Sequence, residues 1–159
     1  MPPPPPYTPI PSGPPPLWAP FYGASFGAAI ARFWRKYATF SGRASRSEYW
    51  WWYLAYFIFV VVLEIIFAAF GSTSMVTISP TAAPVLGTGY YVISGILSVI
   101  ELALLIPSLA IFWRRMHDTN RSGGWFFIGL IPLVGGIILL VFLVSGPNPA
   151  GARFDRPQS

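Results

Sequence analysis

The side chains that most resemble catalytic machinery in this sequence are the neighbouring imidazole and carboxylate of His117 and Asp118. Such a pair suggests acid–base or metal chemistry. Adjacent residues on a helix point about 100° apart, however, so the two groups do not converge on one atom. His117 is the only histidine, cysteine is absent, and no nearby carboxylate completes a metal shell. The sequence therefore predicts no catalytic residue, metal site or cofactor, and we expect a protein that is not an enzyme.

A structural role for these residues is the favoured interpretation. Arg114, Arg115 and His117 stand at the predicted C-terminal end of a helix, where positive charge suits the helix dipole. Asp118, Asn120 or Ser122 would cap the helix that follows. Binding of an anionic lipid or ligand is the alternative, and catalysis ranks behind both.

Further charged residues are predicted to lie on the same side of a membrane and to form one polar cluster. Glu48 and Asp118 would be its internal counter-charges, and a pairing of Asp118 with Arg46 is one contact that it would contain. The predicted cluster consists of Arg43, Arg46, Glu48, Arg114, Arg115, His117, Asp118 and Arg121.

Two carboxylates, Glu64 and Glu101, lie inside apolar stretches, where an ionised side chain costs about 2.5 to 3.5 kcal/mol. Their expected depths differ by roughly 8 Å, so a direct carboxyl pair would need a shift or tilt of the helices. The favoured interpretation is that each stays protonated and hydrogen-bonds to serine, tyrosine or backbone of a neighbouring helix. The alternative is a path for protons or cations.

Three apolar stretches, at about 49–70, 90–113 and 125–144, must position these groups. Each would span roughly 30 Å as a helix, which is the thickness of a hydrocarbon core. The chain is 54% hydrophobic and 9% charged, whereas soluble domains carry about 25% charged residues. The sequence therefore predicts an all-α integral membrane protein with three transmembrane helices in one domain, 41–145.

Prolines and glycines interrupt two of these stretches. Pro107 is expected to kink the second span about one turn before Arg114. Pro132 stands near the middle of the third span, close to Gly135 and Gly136. A simple kink is favoured there, and a discontinuous functional helix is the alternative.

The charge distribution predicts the orientation. Eight basic residues precede the first span or lie between the second and third, whereas two follow the third and the loop 71–89 has no charge. The positive-inside rule then places the N-terminus and the His117 segment in the cytoplasm, and the C-terminal tail 146–159 on the opposite side. Because these charges flank membrane spans and interleave with aromatic residues, nucleic acid is not an expected partner.

The region before the first span has three predicted parts. Residues 1–20 form a proline-rich tail, most simply a solvated spacer and alternatively a docking segment. Residues 21–40 form a basic amphipathic helix, expected to lie on the membrane surface against anionic lipids, with packing against the protein's own spans as the alternative. Ser45 and Glu48 have the spacing of a capping box that starts the first span.

Two polar motifs, FSGRASRSEYW at 40–50 and RRMHDTNRSGGW at 114–125, together resemble the domain of unknown function 805 family of small bacterial inner-membrane proteins. The resemblance covers roughly residues 28–154. It implies a helical protein of the bacterial inner membrane and no assigned reaction, substrate or catalytic residue. The proline-rich extension departs from the family pattern, and so does Asp155, which stands where a glycine is expected.

The sequence favours a non-enzymatic membrane scaffold or interaction protein. Its expected partners are the lipid bilayer, especially anionic lipids, and a second copy or another membrane protein. The alternative is a subunit of a small transporter or channel that uses Glu64 and Glu101.

Overall fold

The computed structural model describes residues 13–71, 75–76 and 85–155. Predictions for residues 1–12, for most of the loop 71–89 and for residues 156–159 lie outside the described residues. The elements, in chain order, are α1 (Phe26–Arg35), α2 (Arg46–Gly71), β1 (Met75–Val76), β2 (Val85–Leu86), α3 (Thr88–Asp118), a first 3₁₀ helix (Gly123–Leu130), α4 (Val134–Val144) and a second 3₁₀ helix (Pro149–Phe154).

Helices α2 and α3 form a long antiparallel hairpin, and both are long and apolar enough to cross a membrane. The rings of Phe67 and Tyr90 lie 5.4 Å apart near one end. Further along, the Tyr56 hydroxyl donates to the Glu101 carboxylate at 2.8 Å. Beyond α2 and α3, β1 and β2 pair antiparallel with each other. The prediction of a helical protein is confirmed, and α2 and α3 are candidate membrane spans at the first two predicted positions.

The start of α2 is the predicted capping box. The Glu48 N–H donates to the Ser45 hydroxyl at 3.2 Å, and the Glu48 carboxylate accepts from the Ser45 N–H at 2.9 Å. Two N–H groups that an isolated helix end leaves unpaired are therefore satisfied.

Helix α3 continues through Pro107, which lacks the N–H that would donate to the Ala103 carbonyl. The Tyr37 hydroxyl donates to that carbonyl instead. A side chain from the segment after α1 thus replaces the helix hydrogen bond that the proline removes.

The third apolar stretch is not the single spanning helix that the sequence predicts. The 3₁₀ helix Gly123–Leu130 is followed by Leu133 at φ +62° and then by α4, which has only 11 residues. The two pieces lie antiparallel. Trp125, near the start of the first piece, contacts Phe142, near the end of the second, with ring centroids 5.3 Å apart. Pro132 supplies no N–H, and a tight approach of Gly135 to the Ile128 carbonyl closes the turn. The break is therefore a reversal of chain direction, and we call residues 123–144 the short hairpin.

Because the short hairpin returns the chain to its starting end, the prediction that the C-terminal tail lies opposite the N-terminal region is wrong for residues 148–155. The Asn148 N–H donates to the Asp118 carbonyl at 2.8 Å, and the Gly42 N–H donates to the Phe154 carbonyl at 2.9 Å. Residues 13–46, 114–122 and 145–155 thus meet at one end of the α2–α3 pair, which we call the polar end.

Helix α1 is shorter than the predicted amphipathic helix and packs against the protein itself. Phe33 is 1% exposed, and its ring stacks on Trp52 at 3.4 Å between centroids. Arg32 and Lys36, assigned to the headgroup-facing side, are instead buried, whereas Trp34 is half exposed. The predicted polar face therefore points inward, because the polar end supplies partners for its charges.

The apolar core also lies towards the polar end of the molecule, between α1, α2, α3 and α4. Its buried residues are Phe33, Ala44, Tyr49, Trp52, Leu104, Ile111, Phe112, Met116 and Leu143.

Candidate functional site: an ion-paired polar end

Arg115 and Asp118 form the centre of the polar end. Both side chains are fully buried and form an ion pair one helical turn apart on α3. The Arg115 guanidinium also donates to the carbonyls of Leu143 and Ser145 at the end of α4. This residue therefore joins α3 to the returning arm of the short hairpin.

Asp118 has a second partner in the N-terminal segment. The Tyr22 hydroxyl donates to its carboxylate at 2.8 Å. Desolvation of that hydroxyl, together with the hydrogen bond to Asp118, raises the pKa of Tyr22 to about 12. Tyr22 therefore keeps its proton and stays a donor at neutral pH. Asp118 makes no contact with Arg46, which is exposed, so the predicted Arg46–Asp118 pairing is wrong.

Arg114 is buried without a carboxylate partner among the described residues. Its guanidinium donates to the carbonyls of Lys36 at 2.9 Å and Thr39 at 2.8 Å, beyond the end of α1. The carbonyl of Arg114 in turn accepts from the Ala44 N–H at 3.0 Å. Its Nε finds no partner in the described part of the chain. Arg114 thus fastens the α1–α2 connection to α3.

Glu48 pairs with Arg32 at 2.6 Å, and both side chains are buried. The rest of the Arg32 guanidinium binds the end of the proline-rich segment, since it donates to the carbonyls of Pro15, Pro16, Leu17 and Ala19. Residues 13–20 are consequently held against α1, and the prediction of a solvated spacer is wrong for them. The sequence reasoning missed Arg32 because its helical position suggested contact with lipid headgroups.

Lys36 is a second functional group that the sequence did not single out. It is 3% exposed, and among the described residues its ammonium reaches only the Arg43 carbonyl, at 3.5 Å. Burial, aided by the nearby Arg114 charge, lowers the pKa of Lys36 to about 7. Its position within an amphipathic pattern gave no signal of this burial.

His117 is held by contacts that do not involve a carboxylate. Its Nδ1 hydrogen-bonds to the Gly42 carbonyl at 3.0 Å, so this nitrogen is the protonated one. The imidazole stacks on the Phe154 ring with centroids 4.0 Å apart. His117 and Asp118 therefore have separate partners and form no catalytic dyad in this arrangement.

Asp155, where the resemblance led us to expect a glycine, forms an ion pair with Arg43. Its carboxylate accepts from the Arg43 guanidinium at 2.7 Å and 3.0 Å. This hydrogen-bonded pair raises the pKa of Arg43 above its ordinary value. The remaining cluster residue, Arg121, lies over the Phe142 ring at 3.9 Å and donates to the Thr119 carbonyl.

The polar end thus brings together six of the eight predicted cluster residues in buried or half-buried contacts, leaves Arg46 exposed, and places Arg121 at the base of the short hairpin. Its charged groups are engaged chiefly by the chain's own carboxylates and carbonyls. Within the described ranges, no three histidine, aspartate or glutamate side chains stand close enough to hold a metal ion. Chemically, this arrangement fastens chain segments together.

The intramembrane carboxylates lie away from this site. Glu64 and Glu101 line one open groove of about 590 Å³ between α2 and α3, together with Ser94 and Ser98. Glu101 also lines a second groove of about 270 Å³ that extends towards the polar end. The two glutamates stand about 12 Å apart along the helix axis, because Glu101 pairs with Tyr56, eight residues from Glu64.

Two long apolar helices and an arginine-rich polar end define a helical membrane protein. The chain belongs to the family described as "Protein of unknown function (DUF805)", whose model matches residues 37–156. Two residues of the polar end, Arg32 of α1 and Lys36 directly after it, lie before this region.

Similar proteins are inner-membrane proteins of Escherichia coli strain K12. "Inner membrane protein YhaI" is 34% identical over 120 residues, which cover 76% of this chain and 86% of YhaI. "Inner membrane protein YhaH" is 33% identical over 121 residues, which cover 76% of this chain and 87% of YhaH. No solved structure shows a significant match. The protein is accordingly a multi-pass protein of the bacterial inner membrane.

Proposed function

We propose that the protein is a non-enzymatic scaffold of the inner membrane, and that its polar end is a rigid docking surface for anionic lipid headgroups and a protein partner. The observation that carries the proposal is the division of the basic residues into two groups. Arg32, Arg114 and Arg115 are buried and hold chain segments together. Arg35 and Arg46 are exposed, and their side chains make no hydrogen bond or ion pair within the described residues.

The surroundings of Arg46 support contact with lipid. Arg46 is the first residue of α2, and it borders a shallow groove with Trp50, Trp51 and Leu54. Tryptophan is enriched at headgroup depth, and positive charge near that depth attracts anionic lipids. If the phosphate of a lipid headgroup binds Arg46, the acyl chain of that lipid lies beside the rings of Trp50 and Trp51.

The topology that we propose has two crossings and a short hairpin that enters the membrane from the polar end and returns. The first 3₁₀ helix and α4 are each about 16 Å long, roughly half of a hydrocarbon core. All nine described basic residues then lie on one side, which the positive-inside rule assigns to the cytoplasm.

The lipid part of the proposal is tested by native mass spectrometry of the full chain extracted with its lipids. We expect co-purified phosphatidylglycerol, and its loss in the double variant Arg35→Gln, Arg46→Gln. Arg121→Gln is the matched control, since Arg121 already packs on Phe142. Equal retention of phosphatidylglycerol in all three chains would contradict the lipid role.

The partner part is tested by crosslinking in cells, followed by co-purification. The full chain is compared with a chain that begins at Gly13, because this truncation preserves the carbonyls bound by Arg32. A stoichiometric partner lost with residues 1–12 supports docking through the proline-rich segment. Recovery of no partner from either chain contradicts the scaffold role.

Transport is the second candidate function, and the shared groove of Glu64 and Glu101 favours it. In that case reconstituted proton or cation flux is abolished by Glu64→Gln or Glu101→Gln. Ile65→Gln is the control, because Ile65 neighbours Glu64 and is exposed on another side of α2. Flux that is absent from the unaltered chain would exclude this candidate.

A further inference from the structure

In the outer half of the molecule, away from the polar end, the described residues include no third helix. The short hairpin packs beside the inner part of α3, where Phe112 contacts Phe126 at 5.6 Å between centroids. In the topology proposed above, its turn lies at about half the membrane depth, and Leu130 and Leu133 there are 76% and 84% exposed. Beyond this level the described membrane segments are α2 and α3 alone.

The groove in this outer half is polar, which distinguishes it from an ordinary lipid-facing surface. Glu64 and Ser98 are exposed in it, and Ser94 is half-buried. The contacts Phe67–Tyr90 and Tyr56–Glu101 set the register of the two helices, and that register places Glu64 level with Ser94. A carboxyl group facing lipid at this depth has no hydrogen-bond partner, which is costly even when it is protonated.

The same face of α3 permits close approach of another helix. Ser94 and Ser98 are small and stand one turn apart, and Gly95 beside them has open space around its Cα. Helices associate in membranes chiefly where small residues let backbones approach and where polar side chains find partners. The groove has both properties on one face.

We propose that this groove is the contact surface between two copies of the chain, related by a two-fold axis normal to the membrane. Both copies have the same orientation, so each presents its groove residues at the same depth as the other. The hydroxyls of Ser94 and Ser98 already donate to the Tyr90 and Ser94 carbonyls of their own helix. The Glu64 carboxyl of one copy therefore donates to the hydroxyl oxygen of Ser94 or Ser98 of the second, and the open side of each groove is closed. A second copy is favoured over lipid as the occupant, because it brings hydroxyl groups to the same depth as the Glu64 carboxyl, where lipid chains have none.

The proposal is tested by disulfide crosslinking in inner-membrane vesicles, for which the absence of cysteine from the chain is an advantage. Single-cysteine variants Ser94→Cys and Ser98→Cys are compared with Ile96→Cys. Ile96 lies between the two serines in depth, is exposed, and points to the opposite side of α3. A disulfide forms only when the two Cα atoms lie within about 7 Å.

Covalent dimers from Ser94→Cys or Ser98→Cys, with none from Ile96→Cys, are the expected result. The proposal is overturned if none of the variants crosslinks, if Ile96→Cys crosslinks as well as the serine variants, or if the product contains a different protein. The outcome is independent of the docking role proposed above, since it reports only contact between copies.

The role of Glu64 is tested separately by measuring dimer dissociation in detergent. Glu64→Leu should weaken association about three- to tenfold, the change expected for one interhelical hydrogen bond. Glu64→Gln keeps a hydrogen-bonding group and should retain most of the association. Unchanged or tighter association of the Glu64→Leu chain would overturn the proposed hydrogen bond.

Discussion

Arg32 joins α1 to two other chain segments at the polar end. Through Glu48 it reaches α2, and through the carbonyls of residues 15–19 it reaches the proline-rich segment. Its Coulomb partner is as deeply buried as Arg32 itself. Removing one member of such a pair leaves an uncompensated charge in a poorly solvated site. This lowers the stability of the fold more than replacing both members by apolar residues does.

We therefore expect Arg32→Leu to lower the free energy of unfolding by about 3 to 5 kcal/mol. Arg35→Leu is the matched control, because Arg35 is exposed on the same helix and should cost less than about 1 kcal/mol. Thermal unfolding in detergent compares the two variants. Equal losses of stability would show that the buried pair has no special role.

Lys36 provides a pH dependence whose sign follows from its lowered pKa. Its pKa falls from an ordinary value of 10.5 to about 7 in the folded chain. Between these two pH values the unfolded chain binds more protons than the folded chain, so the free energy of unfolding rises with pH. The slope contributed by this group approaches about 1.4 kcal/mol per pH unit.

Lys36→Met is expected to remove this contribution and to stabilise the folded chain at pH 7. The check is a comparison of thermal unfolding from pH 6 to pH 10 for both chains. Parallel pH profiles would mean that Lys36 titrates in the folded protein as it does in water.

At the level of elements, the short hairpin depends on how closely its arms approach. A Cβ at Gly135 would overlap the Ile128 carbonyl oxygen, whereas a Cβ at the next residue, Gly136, meets nothing within 4 Å. Gly135→Ala should therefore destabilise the chain by about 1 to 3 kcal/mol. Gly136→Ala should stabilise it by about 0.5 to 1 kcal/mol, because alanine is the better helix former. Similar effects of both substitutions on the melting temperature would contradict the reversal.

Helix α3 and the segment after α1 are coupled through Tyr37 and Pro107. Tyr37→Phe should cost about 1 kcal/mol, because the Ala103 carbonyl loses its donor. In a Pro107→Ala background the backbone N–H is restored and can donate to the same carbonyl. Tyr37→Phe should then cost much less. A double-mutant cycle measures this coupling, and simple additivity would count against it.

At the scale of the whole molecule, the structure and the sequence pattern make opposite predictions about the C-terminus. Fluorescent-protein and alkaline-phosphatase fusions after Ser159 distinguish them. With the N-terminal region in the cytoplasm, we expect fluorescence and no phosphatase activity, because the polar end contains both described chain ends. A phosphatase fusion after Gly71 should be active and serves as the control. Phosphatase activity of the fusion after Ser159 would instead support the topology with three crossings.

The sequence predicted the elements that depend on local rules. Apolar composition identified the two long helices, and the Ser45–Glu48 spacing identified the start of α2. The short hairpin was not predictable in this way, because an apolar segment with a central proline has the same composition whether it kinks or reverses. Its reversal depends on the contact of Gly135 with Ile128, which no local pattern encodes.

The sequence predicted most members of the polar cluster, but it did not predict which of them pair with each other. Arg32 and Lys36 follow a helical period that fits a headgroup-facing surface equally well, and only the carboxylate and carbonyls of other segments decide that they point inward. Asp155 gave a signal as a departure from the family pattern. Its partner, Arg43, lies 112 residues away, so spacing alone could not reveal the pair.

The closure of the polar end by residues 148–155 has a consequence for biosynthesis. Asp118, His117 and Arg43 receive contacts from residues 148–155, which are translated after α2 and α3. While the ribosome still holds that stretch, α2 and α3 can already be inserted, but these three residues lack those contacts. The newly inserted protein therefore stays in an open state until residues 148–155 have left the ribosome. A product of premature termination would stay open indefinitely, and quality-control proteases could distinguish it from the finished chain.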